Sequence, residues 1–185
     1  MRRGYLYTLL SFTILTLASC SATKFVPDGY YLLDEVKVST NNKEVKPSSL
    51  RNYVRQNPNA KWFSLIKTQL YVYDLSGRDS SKWYNKFLRK IGDAPVIYNE
   101  SDAIRSQEEI AKAVQNLGYM GASVKRTTKT KKKKLKLFYE ITSGKPYIVR
   151  TLKYDISDKK IAEYLRNDST QSMLREGMLF DVNVL

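Results

Sequence analysis

The fold of this chain is set by residues 101–149, which read SDAIRSQEEIAKAVQNLGYMGASVKRTTKTKKKKLKLFYEITSGKPYIV. Apolar residues recur at helical spacing in the first part, and they are Ala103, Ile110, Val114 and Leu117. This spacing predicts an amphipathic helix that ends at Gly118, since glycine adopts the left-handed conformation of a helix end at little cost. The second part predicts two strands, 122–130 and 135–141, joined by lysines. A helix lying on a small antiparallel sheet would cover the apolar faces of both, which indicates an α+β fold.

The composition excludes several classes of site. The chain has 185 residues, and its 32 Lys and Arg against 18 Asp and Glu give a net charge of +14, which favours anionic partners. There is no histidine, which excludes imidazole catalysis and histidine metal sites. The single cysteine excludes an intrachain disulfide and a Cys-rich zinc site. We therefore expect neither a metal nor a cofactor.

The N-terminus has the organisation of a secretory signal peptide. Arg2 and Arg3 supply a positive start, and an apolar run of about a dozen residues follows at 5–17. This run is too short for an ordinary membrane-spanning helix, which needs about 20 residues. We therefore predict a signal peptide at residues 1–19 and export of the chain.

The residues that follow the apolar run predict a lipid anchor. Leu17-Ala18-Ser19-Cys20 resembles the bacterial lipobox, whose cysteine becomes the lipidated first residue of the mature protein. Cys20 is therefore the predicted lipid attachment site, and cleavage after Ser19 that leaves a free thiol is the alternative. Residues 20–30 are predicted to be a polar tether. Ser21 is not the aspartate that retains many such proteins in the inner membrane, so this resemblance points to the outer membrane.

The chain between the tether and the central stretch predicts one strand and two helices. Residues 31–40 have the alternation of a strand, residues 49–56 follow a Pro-Ser-Ser helix start, and residues 82–90 also have a helical pattern. Residues 61–98 are crowded with aromatic and aliphatic side chains. We expect these rings to fill the core and cover the sheet edge. A platform on which nucleic-acid bases stack would also use aromatics among lysines, but no RNA-binding spacing is visible.

The C-terminal part predicts the beginning of another module. Residues 148–156 have the pattern of a strand, and Asp158 is placed to cap a helix that runs to about Asn167. Residues 173–181 start a further element. One strand and one helix cannot close a core alone, so 148–185 is predicted to be an incomplete second domain.

Four stretches of the chain resemble the POTRA repeat of the BamA/TamA family of outer-membrane assembly factors. LGYMGASV at 117–124 is similar to the family's helix-to-strand turn, and FYEITSGKPYI at 138–148 is similar to its last strand and the start of the next repeat. LREGMLF at 174–180 is similar to the glycine-containing link before a second POTRA helix. IGDAPVIY at 91–98, together with the lipobox, is typical of a lipoprotein member of this family.

The resemblance implies a POTRA-like β-α-α-β-β module, with helices packed on one face of a small mixed three-stranded sheet, followed by the truncated start of a second such module. The first domain would span 31–147, with 61–98 as an aromatic-rich insertion. The chain would be anchored to the outer membrane and face the periplasm. It would take part in the assembly or translocation of outer-membrane proteins, by strand addition at 36–40 or 122–128, or by docking a TamB-like partner. An envelope lipoprotein with a structural or lipid-contacting role and no assembly activity is the alternative.

A run of lysines is the most visible charge feature, and its members are Lys129, Lys131, Lys132, Lys133, Lys134 and Lys136. A solvated hairpin tip that keeps the sheet edge soluble is the simplest interpretation. Contact with anionic lipid head groups is the functional one. Nucleic acid is a poor third alternative, because an exported lipoprotein rarely meets any.

No residue pattern in the chain indicates an enzyme. Glu108 and Glu109 are adjacent on the predicted helix and would point about 100° apart, which favours surface charges over an acid/base pair. Ser81-Lys82 lies beside no recognisable nucleophile turn. We therefore expect no catalytic activity.

Overall fold

The structure of the chain is a computed structural model that describes residues 22–62, 66–167 and 173–184. The signal peptide predicted at 1–19 and Cys20 lie outside the described residues. The strands are β1 Leu32–Thr40, β2 Ser123–Lys131 and β3 Lys134–Thr142. The helices are α1 Pro47–Leu50, α2 Thr68–Leu75, α3 Trp83–Ile91, α4 Glu100–Asn116 and α5 Lys159–Asn167, and a 3-10 turn at Arg51–Tyr53 follows α1.

The three described strands form one mixed sheet with the order β1-β3-β2. β1 runs parallel to β3, because Leu32 N–H donates to the Lys133 carbonyl at 2.8 Å and Asn41 N–H donates to the Ile141 carbonyl at 3.2 Å. β2 and β3 form an antiparallel hairpin with a two-residue tip, in which Lys132 has a φ of 54°. The predicted α+β fold with a mixed three-stranded sheet is confirmed.

The described chain divides into two compact units. Unit 1 contains residues 22–37, 56–100 and 128–137. Unit 2 contains residues 38–55, 101–127 and 138–184, with the gap stated above.

Unit 2 contains the predicted arrangement of helix on sheet. The buried residues of α4 fall on one face, and they are Ala103, Ser106, Ile110, Ala113 and Val114. The Tyr139 hydroxyl, fully buried under this face, donates a 3.0 Å hydrogen bond to the Ala103 carbonyl. Gln107 Nε2 donates to the Val124 carbonyl at 2.8 Å. The alternation predicted for the second strand is also confirmed along β3, which contributes residues to both units, since Leu135, Leu137, Tyr139 and Ile141 are all buried.

Unit 1 is organised around α2 and the segment that precedes β1. A buried cluster joins Ala22 and Val26 to Leu32 and Leu70, and Tyr71 and Ile97 pack against it. The apolar periodicity of α2 is weak, and this helix was not predicted. The segment 22–28, predicted to be a polar tether, is thus packed through two of its apolar residues.

The prediction that the rings of 61–98 fill the core holds for Tyr71, which packs against the buried cluster, and is wrong for Trp62, Trp83 and Phe87. The side chains of Trp62, Trp83 and Phe87 are 66%, 78% and 56% exposed. The buried residue of α3 is Asn85. The physical reason is that α3 turns its polar face inward, where Asn85 satisfies backbone groups of the preceding loop.

The prediction of a strand at 148–156 is also wrong. Ile148 forms an isolated antiparallel bridge with Leu179, and Val149 N–H donates to the Met178 carbonyl at 2.9 Å. Leu152 N–H is bonded instead by the Glu176 side chain. A strand needs a backbone partner along its length, and here the described pairing stops after Val149. The predicted cap of α5 is confirmed, because Asp158 Oδ1 accepts from Lys160 N–H at 2.8 Å.

Candidate functional site

Five of the six predicted site lysines lie around one cavity of unit 1. The cavity has a volume of about 590 Å³. Its lining residues are Ala22, Thr23, Asp34, Tyr71, Lys129, Thr130, Lys131, Lys132, Lys134 and Lys136. We call this feature the lysine cavity. It is formed because the hairpin tip of β2 and β3 lies beside the packed segment before β1, a proximity that lysine spacing alone does not predict.

Lys133 is the site lysine that points elsewhere. Its ammonium donates to Asp28 Oδ1 at 2.6 Å and to the Val26 carbonyl at 3.2 Å. The hydrogen bond and the charge of Lys133 lower the pKa of Asp28 below its ordinary value. Lys133 therefore ties the hairpin tip to the segment 22–28. It also lines a second cavity of about 370 Å³, whose basic residues are Lys24, Arg78, Arg89 and Lys133.

Two acidic side chains of β1 reduce the positive charge near the lysine cavity. Glu35 Oε2 lies 2.7 Å from the Lys136 ammonium, and this hydrogen bond lowers the pKa of Glu35. Asp34 lines the cavity and pairs with Lys67 at 3.0 Å. Five lysines nevertheless line the cavity, and the one acidic residue in its lining, Asp34, is already paired with Lys67. The cavity is therefore suited to an anion.

The segment 22–28 is held by a polar contact as well as by its apolar residues. The Lys24 ammonium donates to the Asp74 carbonyl at 2.9 Å and to the Ser76 carbonyl at 2.7 Å, so it bonds the C-terminal end of α2. The Phe25 ring packs edge-on against Tyr73, with centroids 5.3 Å apart. The apolar pair Phe25-Val26 was the available signal in the sequence, and the tether interpretation passed over it.

Asp74 is a buried acid that the sequence did not reveal. Its side chain is 1% exposed, and neither carboxylate oxygen has a hydrogen-bond partner among the described residues. Burial raises the pKa of Asp74 to about 6, although the nearby Lys24 charge opposes this. The Asp74 carboxyl therefore releases its proton at a higher pH than an exposed aspartate does.

The outer strands of the sheet are β1 and β2, the two edges that the sequence proposed. The start of β1 is covered, because Leu33 N–H donates to the Val96 carbonyl and Tyr98 N–H donates to the Tyr31 carbonyl, both at 2.8 Å. In β2, the two-residue tip sets the register. Even-numbered residues then turn their backbone N–H and C=O away from β3. The Val124 carbonyl, which is bonded by a side chain of α4 rather than by β3, agrees with this register.

Neither metal binding nor a membrane span is indicated in the described part of the chain. It contains no group of three or more cysteine, aspartate or glutamate residues arranged to hold a metal ion. Within the same residues, every helix falls short of the length and apolar character needed to cross a bilayer.

The geometry defines a class of protein: an α+β module in which helices cover one face of a mixed sheet and an outer strand borders solvent. The family model described as "POTRA: Surface antigen variable number repeat" matches residues 31–144. The chain therefore belongs to the POTRA family. The Haemophilus influenzae structure described as BamA POTRA3-5 is similar at 14% identity and a TM-score of 0.31, over 86% of this chain and 84% of that chain. A comparison with curated proteins found no match.

Proposed function

We propose that this chain is the periplasmic POTRA region of a TamL-like outer-membrane lipoprotein of the BamA/TamA family. It takes part in the assembly or translocation of outer-membrane proteins, and it binds extended segments of these proteins by strand addition. Membership of the POTRA family supports this assignment. The observation that carries the mechanism is that β2 is an outer strand of the sheet.

The outer side of β2 has the properties that strand addition requires. In the register given above, the backbone N–H groups of Thr128 and Thr130 point away from β3. Main-chain groups of an outer strand recognise an extended peptide with little demand on its sequence. The lysines of β2 discourage uncontrolled pairing between copies of the chain, because like charges would meet in such a pair. A TamB-like partner that docks by the same edge is the second use of this surface.

Thr128→Pro tests the strand-addition mechanism. Proline removes an outward N–H without removing a bond between β2 and β3, so the fold survives. We expect affinity for a fluorescent peptide copied from a barrel strand to fall about ten-fold, since one hydrogen bond and the pairing next to it are lost. Thr128→Val keeps the N–H and is the matched control. Equal affinity of the proline variant and the wild type, with both folded by circular dichroism, would contradict the mechanism.

The lipid anchor on Cys20 is tested separately. Intact-mass spectrometry of the chain produced in its native envelope should show an N-terminus at Cys20 that carries acyl chains. Cys20→Ser should abolish this mass increase and release the protein from the outer-membrane fraction. A mature N-terminus without an acyl group would contradict the anchor and leave the strand-addition proposal standing.

The lysine cavity supports a second candidate function, contact with anionic lipid head groups. Each basic residue near an anionic surface contributes about 1 kcal/mol. Changing Lys131, Lys132 and Lys134 to Gln in a chain that begins at Ser21 should therefore lower affinity for phosphatidylglycerol vesicles about a hundred-fold. Lys153, Lys159 and Lys160 changed to Gln provide a control with the same net charge. A loss as large in the control would indicate that net charge, rather than the cavity, is responsible.

A further inference from the structure

Helix α3 exposes apolar side chains and buries a polar one, which is the opposite of an ordinary surface helix. Four of its five large apolar side chains face solvent, with exposed fractions of 78% for Trp83, 44% for Tyr84, 56% for Phe87 and 49% for Ile91. Residues spaced by four lie on the same face of a helix, so Trp83, Phe87 and Ile91 form a continuous stripe. The side chain that α3 buries is Asn85, which is 2% exposed. A contiguous apolar stripe of this kind on a folded protein marks a contact surface.

The inverted orientation is fixed by hydrogen bonds within unit 1. Asn85 Oδ1 accepts from Gly77 N–H at 2.7 Å, and Asn85 Nδ2 donates to the Asp79 carbonyl at 2.7 Å. Arg89, one turn further along α3, donates to the Gly77 carbonyl at 2.8 Å and to Ser76 Oγ at 3.2 Å. Turning the helix to bury its rings would break all four contacts and leave Gly77 N–H and the Asp79 carbonyl without the Asn85 side chain. The stripe is therefore held outward by the fold.

The charges beside the stripe select the chemistry of the partner. Lys82, Lys86 and Lys90 accompany it, and the sequence contains no acidic residue between Asp79 and Asp93. Lys86 and Lys90 are exposed, and the Lys82 ammonium lies 6.0 Å from the centroid of the Tyr84 ring. Trp, Tyr and Phe next to lysine are the side chains that occupy the boundary between lipid head groups and acyl chains. An anionic bilayer surface matches both the aromatic stripe and its positive border.

The segment nearest the predicted anchor lies against the same helix. Phe25 is five residues after Cys20, and the Arg89 guanidinium stands 5.4 Å from the centroid of its ring. A lipid on Cys20 would therefore hold α3 near the bilayer. Nine residues span only about 13 Å, so α3 is too short to bind a membrane alone. A lipid attached to the same unit would raise the effective concentration of α3 at the membrane surface.

We propose that the outward face of α3, carried by Trp83, Tyr84, Phe87 and Ile91, lies on an anionic phospholipid bilayer as an interfacial helix. This inference goes beyond strand addition and does not depend on it. It is also separate from the lysine cavity, because the residues that carry it are different.

Quenching of tryptophan fluorescence by brominated lipid tests the position of α3. The full chain is reconstituted into vesicles through its own N-terminal segment, and Trp62→Phe leaves Trp83 as the only tryptophan. The control carries Trp62→Phe, Trp83→Phe and Tyr164→Trp, which moves the tryptophan to a position in unit 2 whose side chain is 77% exposed. In vesicles with phosphatidylglycerol, we expect Trp83 to be quenched about three-fold more strongly than the tryptophan at position 164. Its emission should also move to shorter wavelength.

Charge reversal tests the anionic character of the surface. Lys86→Glu with Lys90→Glu should reduce the quenching of Trp83 about three-fold, whereas Lys159→Glu with Lys160→Glu, which changes the net charge equally, should not. Equal quenching at positions 83 and 164 would overturn the proposal. Equal quenching of Trp83 in phosphatidylcholine and phosphatidylglycerol vesicles would overturn the assignment to anionic lipid. A Trp83 emission that shifts with protein concentration before vesicles are added would overturn it in favour of a second copy of the chain.

Discussion

The Lys67 ammonium lies 3.0 Å from an Asp34 carboxylate oxygen and also donates a 2.8 Å hydrogen bond to the Asp34 carbonyl oxygen. The Lys67 side chain is 7% exposed, and that of Asp34 is 21% exposed. Burial lowers the pKa of Lys67, and the Asp34 carboxylate offsets part of this effect. A buried ammonium is thus stabilised by one strand residue, and the pair joins the start of α2 to β1 within unit 1.

Removing the acidic partner of this pair should lower the free energy of unfolding more than removing the basic partner does. Asp34→Ala leaves a buried ammonium without its carboxylate, so we expect the free energy of unfolding to fall by roughly 3 kcal/mol. Lys67→Met should have a smaller effect, because it fills the same space with an apolar chain and leaves a carboxylate that water can reach. Urea denaturation of the two variants measures the difference. A larger loss in Lys67→Met would show that the pair is held by something other than burial of the lysine.

The raised pKa of Asp74 predicts a specific dependence of stability on pH. The folded state binds a proton with a pKa of about 6, whereas the unfolded carboxyl has its ordinary value near 3.8. Folded protein therefore holds more protons between these values, and the contribution of this group to stability decreases as pH rises from about 4 to above 6. Asp74→Asn should raise the free energy of unfolding at pH 7.5 by on the order of 2 kcal/mol. At pH 4 it should have little effect.

Denaturation of the wild type and Asp74→Asn across this pH range isolates the group, because other carboxylates titrate equally in both. Asp34 and Glu35 have lowered pKa values, so their stabilising contributions are lost on acidification, in the opposite sense. A constant difference between wild type and variant from pH 4 to pH 7.5 would contradict the prediction for Asp74.

The hydrogen bond of the Tyr139 hydroxyl predicts a modest loss of stability when Tyr139 is changed to Phe. Tyr139→Phe removes the donor to the Ala103 carbonyl and keeps the ring, so the free energy of unfolding should fall by about 1 kcal/mol. Tyr164→Phe, at a position that is 77% exposed, should change it by less than about 0.5 kcal/mol. Thermal unfolding of both variants provides the comparison, and equal melting temperatures would argue against a contribution from this bond.

Substitution of Gly118 should lower stability more than the change at Tyr139, because two constraints act on this glycine together. Its φ is +89°, and an added Cβ would lie 2.7 Å from the Phe180 carbonyl oxygen. Gly118→Ala should therefore lower the free energy of unfolding by about 2 to 3 kcal/mol. Gly29→Ala is the control, since φ is +82° there but no atom lies within 4 Å of the added Cβ, and about 1 kcal/mol is expected. Calorimetry that ranks the two in the reverse order would exclude the close contact with residue 180.

Unit 2 could be predicted from the sequence because its signals are local. The helical spacing of Ala103, Ile110 and Val114 describes a helix whose apolar face is the buried face. Gly118 ends that helix in the left-handed conformation that was expected. In the part of β3 that belongs to unit 2, Tyr139 and Ile141 are buried and Glu140 is exposed, as the alternation predicts. Each of these patterns agrees with the tertiary structure, so local interpretation was sufficient.

Unit 1 could not be predicted because its long-range contacts override local patterns. Helix α3 was expected to bury Trp83 and Phe87, but backbone groups of the loop 77–79 take up Asn85 instead. The packing of Val26 depends on Leu70, more than forty positions away in the chain. The lysine cavity also depends on long-range contacts. Its five lysines were predicted as site residues, but Ala22, Asp34 and Tyr71, which complete its lining, were not.

The burial of Ala22 has a consequence for how a lipid on Cys20 would hold the protein. Two residues extend by at most about 7 Å, so the acyl chains would begin almost at the surface of unit 1. Unit 1 would then keep a nearly constant height above the bilayer, in contrast to a unit on a long linker, which samples a wide volume. Only molecules that pass close to that bilayer would then come within reach of unit 1.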